Sequence, residues 1–380
     1  VTVGHDLIIK QETNIIELPF QFSNYQLPRI ISYYVHRNET YNKINAKLHL
    51  ADTSKEITLV VLNGMRGIGK TQTAREFINN DTSAHKLWFN AQSRELLLQE
   101  YKQFAIFAKR IKKDEICEDQ VIIQRVKGYL EENPGWFIVY DDAESYRSIS
   151  NFLPANGGKV LITSSHGSSE DWPEEALETI GLMQEAEAKK LVTNVWRKRV
   201  NHTDVQIDNL LSALGRLPLA LTQASHYIGR KVKVNLSYSI DDYLIEYKKT
   251  RQGLLNNDKL PAEEEHINTW ATVSLMLKDI RGSNPVAYKM LHHLAYIESN
   301  GLNSDWIKRA QAYSINEINF KGSWLKSALL GSDSFSSEDN EKYEEALRLL
   351  LDYSIIEKTE RPGLYSTHPV LQDGFAELHT

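Results

Sequence analysis

The sequence predicts an α/β fold with a parallel sheet, followed by a helical domain and then an α+β winged-helix domain. Three observations predict it. Between residues 57 and 180, short apolar runs alternate with helical patterns, as in a doubly wound α/β unit. After Ile180 the strand signal stops and amphipathic helical patterns take over. Near the end of the chain a helix, a hairpin pattern and a second helix follow in the order of a winged helix.

In chain order, residues 1–45 read as a leader of mixed character, with a helix over 40–50. The runs "ITLVVLN" (57–63), "HKLWFNA" (85–91), "GWFIVYDD" (135–142) and "KVLITSS" (159–165) read as strands. Their nearly continuous apolar character predicts a sheet covered on both faces. "SRELLLQEYKQFAIFAKRI" and "QVIIQRVKGYL" supply crossover helices. The helical domain spans 181–257 and the winged-helix domain 258–380, with the linker-like "NNDKLPAEEEH" (256–266) at their junction. A polar insert is expected near 331–345. "YSIIEKT", a turn at "ERPG", "LYSTHP" and "VLQDGFAEL" complete the tail.

Composition excludes several classes. Of the 380 residues, 41% are hydrophobic and 25% charged, as in ordinary folded chains, and the net charge of −6 offers no global attraction for nucleic acid. One cysteine cannot form an internal disulfide, no apolar run reaches bilayer length, and the N-terminus lacks a signal-peptide pattern. A cytoplasmic location without a membrane partner is expected. There is no G-x-S-x-G elbow, no H-E-x-x-H helix and no cysteine pair for zinc.

The chemistry concentrates at "VVLNGMRGIGKTQTAREF" (60–77). Gly64-x-x-x-x-Gly69-Lys70-Thr71 has P-loop spacing and sits between a strand and a helix. Such a turn needs glycine because its amides must face inward and approach phosphate oxygens closely. Gly64, Gly67, Ile68, Gly69, Lys70, Thr71 and Gln72 are therefore candidate nucleotide-binding residues. Lys70 would reach the β/γ-phosphates and the Thr71 hydroxyl would hold Mg2+. "WFIVYDD" supplies the acidic partner on a neighbouring strand: Asp141 for the metal and Asp142 to orient or deprotonate water. The predicted fold class is thus an α/β P-loop NTPase with two appended domains.

"NGMRGIGKTQTA", "WFIVYDDAE", "KVLITSS" and "LGRLPLALTQASHYI" occur in the order and approximate spacing of the NB-ARC family of STAND signal-transducing ATPases, which the chain resembles over about residues 30–380. The subgroup it most resembles carries tetratricopeptide repeats downstream. The resemblance implies an ADP/ATP site in which Val35 and Arg37 of "YYVHRNE" and Pro218 of "GRLPLAL" contact adenine. It further implies that His368 of "STHP" contacts the β-phosphate of ADP, a contact an imidazole N–H can make. Two positions depart from the family pattern. Ser165 stands where a γ-phosphate-sensing arginine is common, and Arg66 stands where a small residue is frequent.

By that resemblance the chain is expected to be an ADP-locked switch that opens and self-associates on exchange for ATP, with slow hydrolysis. A trigger would be sensed by a repeat domain outside these residues. A nucleotide-regulated transcription factor and a fast P-loop ATPase are the alternatives. The first is disfavoured because "WRKRVNH" and "GRKVKV" lie outside the winged helix, whose surroundings are acidic.

Overall fold

The structure is a computed structural model that describes residues 24–49, 57–165, 171–256, 264–294, 300–303, 337–359, 363–368, 370–372 and 375. Its centre is a six-stranded, wholly parallel sheet of β1 (Asn24–Tyr25), β2 (Thr58–Asn63), β3 (His85–Asn90), β4 (Trp136–Asp141), β5 (Gly158–Thr163) and β6 (Leu177–Thr179). The spatial order is β1-β3-β4-β5-β2-β6. After β2 the chain crosses towards β3, and after β5 it crosses the other way to β6. The carboxyl end of β2 is therefore a switch point, where such sheets hold their ligands.

Each strand alternates between two apolar layers. Val60, Leu62, Phe137, Val139 and Leu161 face one core, while Val61, Ile138, Tyr140, Val160 and Ile162 face the other. The second core is closed by α3 (Arg94–Phe107) and α4 (Asp119–Glu132). The first receives α1 (Asn38–Leu48) and α2 (Lys70–Asn80), and it continues without a break into the helices that follow the sheet. Burial on both faces explains why these strands read as apolar runs.

Those helices are α5 (Glu185–Trp196), α6 (Asp204–Leu214), α7 (Pro218–Val234), α8 (Ile240–Leu255), α9 (Glu264–Ser283) and α10 (Pro285–Leu294). Thr203 and Ser239 cap α6 and α8 with capping boxes, and Pro218 starts α7 at the position where a missing N–H costs nothing. The tail contains α11 (Ser337–Asp352) and an antiparallel sheet ordered β7 (Asn300–Asn303), β9 (Leu364–Thr367), β8 (Ile356–Lys358). Tyr353, Ile355 and Ile356 bury themselves in the same core as α7. A single-turn helix, Tyr146–Ile149, follows β4.

Two expectations are corrected. The strand ending in Asp141 is not the hydrogen-bonded neighbour of the P-loop strand, because β5 lies between β4 and β2. The stretch expected as a polar insert over 331–345 becomes helical from Ser337, its apolar positions Tyr343, Ala346, Leu347 and Leu350 repeating at helical spacing. The helix expected over 40–50 is α1. Most of the leader (1–23) and the linker residues 257–263 lie outside the described residues. No helix among the described residues is long and apolar enough to cross a membrane.

Gly158 tests the sheet. A Cβ there would lie 2.2 Å from the Trp136 carbonyl oxygen on the adjacent strand. Gly158→Ala is expected to cost about 1–3 kcal/mol through forced overpacking. Denaturant unfolding checks this, and an unchanged midpoint would contradict the β4–β5 register.

Candidate functional site

The turn from Asn63 to Lys70 is shaped by three left-handed glycines, Gly64, Gly67 and Gly69. At Gly64 (φ 141°) a Cβ would come 2.8 Å from the Ile180 carbonyl oxygen. At Gly67 (φ 83°) it would come 2.9 Å from Leu219 Cβ. The turn is thus pressed against β6's exit on one side and the first turn of α7 on the other. The Leu219 amide donates to the Gly67 carbonyl at 3.2 Å, tying the helical unit directly to the loop. Gly69 is the N-cap of α2 and offers no side chain to its first amides. That leaves a helix N-terminus suited to an anion.

Lys70 is buried and donates from Nζ to the carbonyls of Gly64 (2.8 Å) and Met65 (3.1 Å). Burial pushes its pKa down to about 8, against the opposing pull of Asp142 and Asp141. Thr71 Oγ1 donates to Asp141 Oδ1 at 2.9 Å, and Thr163 Oγ1 donates to the same oxygen at 2.6 Å. Burial raises the Asp141 pKa, with both threonine hydrogen bonds opposing the rise. Asp142 adopts φ 63°, and its amide donates to Thr163 Oγ1 at 2.8 Å. Thr163, at the end of β5, therefore holds both members of β4's acidic pair, while Thr71 joins Asp141 directly to the P-loop.

A cavity of about 230 Å³ opens over this turn. Among its lining residues are Val35, Arg37, Gly67, Ile68, Gly69, Lys70, Thr71, Gln72, Asp141, Asp142, Pro218 and His368, all expected from the sequence. Gly64 lies beneath the turn and reaches the site through its carbonyl. Arg66 also lines the cavity, whereas Ser165 does not, and His166 lies outside the described residues. Val35 and Pro218 present apolar surface together with Met183, Leu191 and Leu219.

Arg37, which lines the cavity, also makes contacts within the protein. Its guanidinium donates to the carbonyls of Gly181 (2.7 Å), Leu182 (2.9 Å) and Ile68 (3.4 Å), and lies 3.4 Å from Glu187. It fastens the leader to the loop and to α5. His368 Nδ1 accepts from the Val370 amide at 3.2 Å, so the neutral ring carries its proton on Nε2.

Sequence reasoning missed Thr163, Arg75 and the tail residues Ser354 and Glu357, all of which line the cavity. Thr163 stands in the quoted "ITSS", but nothing in that run says which residue enters the site.

The residues present fit a nucleotide with a hard cation. Thr71 and Asp141 offer oxygen ligands suited to Mg2+, and the glycine turn offers amides to phosphate. Fold and site together define an α/β P-loop NTPase architecture. No family model matches the chain. It is 23% identical over 309 residues to a nucleotide-binding leucine-rich repeat (NLR)-like protein of Hyaloscypha variabilis, a match covering 71% of this chain and 30% of that one. The chain therefore spans less than a third of that relative's length. In structure it is similar to a Signal Transduction ATPase with Numerous Domains (STAND) protein with a tetratricopeptide repeat sensor from Pyrococcus horikoshii. The TM-score is 0.52 at 15% identity, over 93% of this chain and 44% of that one. The first likeness is one of sequence to an NLR-like protein, and the second shows a shared fold.

Three predictions follow from this geometry. Phosphate beside Lys70 would restore its ordinary pKa near 10.5, so nucleotide binding at pH 9 should take up protons. Calorimetry in buffers of different ionisation enthalpy reads this, and buffer-independent heats would contradict it. Without nucleotide, stability should rise between pH 8 and 10.5, because the unfolded chain holds more protons there. Separately, Gly67→Ala is expected to weaken nucleotide binding at least about tenfold by driving Leu219 off the loop. Unchanged affinity would remove Gly67 from the site.

Proposed function

We propose that the chain is an adenine-nucleotide switch whose closed form is held by ADP and whose opening follows exchange for ATP. The observation that carries this reading is that His368, Thr367 and Ser366 of the tail line the same cavity as Gly67–Thr71 of the front. A ligand filling that cavity touches units far apart in sequence, so its identity can bias their arrangement. The moving parts are a nucleotide-binding unit (46–180), a helical unit (181–257) and a winged-helix unit (258–380).

In this reading the phosphates take the glycine turn and the N-terminus of α2, while the base takes the apolar end between Val35 and Pro218. Lys70 turns from the Gly64 and Met65 carbonyls to the phosphates. Mg2+, held by Thr71 and Asp141, would neutralise phosphate charge when bound. Asp142 receives a proton from, or orients, the attacking water, and hydrolysis is slow because it only resets the switch. His368 donates from Nε2 to the β-phosphate and so fastens the tail to ADP. Opening would free surfaces for self-association, driven by a sensor such as the tetratricopeptide repeats of the Pyrococcus horikoshii protein.

His368→Ala tests the closed form. Losing a hydrogen bond to a charged group should speed ADP release about tenfold or more. Stopped-flow displacement of a fluorescent ADP measures the rate. An off-rate equal to that of the parent chain would sink the switch.

A further inference from the structure

We propose that Arg75 is a phosphate-binding residue of this site, a fixed cation that grips the phosphate chain from one turn along α2. The inference rests on the reading that the cavity takes an adenine nucleotide. Four cationic side chains line that cavity: Arg37, Arg66, Lys70 and Arg75. Arg37 is committed to three backbone carbonyls and Glu187. Lys70 is the P-loop lysine. Arg75 makes no side-chain hydrogen bond or ion pair with the described residues, and its Nε is closed off from solvent without a partner.

Placement points the same way. Arg75 follows Thr71 by four residues on α2, so the two share a helix face. Helical side chains lean towards the N-terminus, which directs the long arginine stem back over Thr71 and the phosphate turn. It lines the same cavity as Asp141 and Tyr33, and its charge is felt by both. Two of the three acidic groups that line the cavity are otherwise engaged. Two threonine hydroxyls hold Asp141, and Glu357 accepts from Tyr33 at 3.5 Å. A buried guanidinium N–H with no acceptor is costly, and a phosphate oxygen in the cavity supplies one. Arginine's planar fork matches a phosphate's oxygen spacing in a way that an ammonium group does not.

The test is calorimetric titration of the full 380-residue chain with ADP and, separately, with adenosine, comparing the parent, Arg75→Gln and Arg75→Lys. The thermal unfolding midpoint confirms that each variant is folded. Arg75→Gln is expected to weaken ADP tenfold or more while adenosine changes less than twofold. Arg75→Lys should recover part of the loss, because charge is kept and the fork is not. Parent-like ADP affinity in Arg75→Gln would overturn the inference alone. Equal loss of ADP and adenosine would also overturn it, by showing that Arg75 shapes the wall and does not bind phosphate. A parent chain that binds neither compound would overturn the nucleotide reading and this inference with it.

Discussion

Backbone approaching backbone, with no Cβ between, is the constraint on which the rest of this structure depends. Gly67 is pressed against Leu219 and shares a hydrogen bond with it, while Gly64 is pressed against the carbonyl of Ile180. Those two contacts bring the helical unit and the last sheet strand onto the phosphate turn. Leader, loop and α5 are then fastened by one buried arginine, Arg37, whose donors are shared among three backbone carbonyls. A charged group buried in this way is tolerable because its two terminal nitrogens donate to carbonyls and Glu187 lies 3.4 Å from its Nε.

From that junction the cavity acquires walls of very different origin. The glycine turn and α2 come from the front of the chain, Pro218 and Gln223 from α7, and Ser354, Thr367 and His368 from the tail. The tail is also held by contacts within the protein, at the cavity wall and beyond it. Gln223 donates to the Ser354 carbonyl at 3.2 Å, and Arg230 lies 3.3 Å from Asp352. Tyr33, from the leader, lies 3.3 Å from the Ser354 hydroxyl. A ligand in the cavity would add to contacts that already join these units, so modest differences between two nucleotides suffice to shift their balance.

The four long strands were legible because both faces of the sheet are buried, which leaves uninterrupted apolar runs. β1 and β6, of two and three residues, leave no such trace. Strand order was not legible, since apolar alternation says nothing about which strand lies beside which. With β5 between β4 and β2, the acidic pair meets the loop through side chains: Thr71 reaches Asp141, and Thr163 holds Asp141 and the Asp142 amide. The P-loop residues were legible because a backbone-lined phosphate site leaves glycines at fixed spacing. The contacts Arg37 makes within the protein were not legible, because two of its carbonyl partners lie more than a hundred residues away. Arg75 and Glu357 enter through helix pitch and tail packing, which no local pattern encodes.

The central claim is that one nucleotide is gripped at once by the front and the tail of the chain. Hydrogen exchange of the 380-residue chain with and without ADP tests it most directly. Slower exchange in two separate segments, the amides of 67–73 and those of 365–372, is the predicted result. Protection confined to the first segment, with the tail exchanging as before, would contradict it.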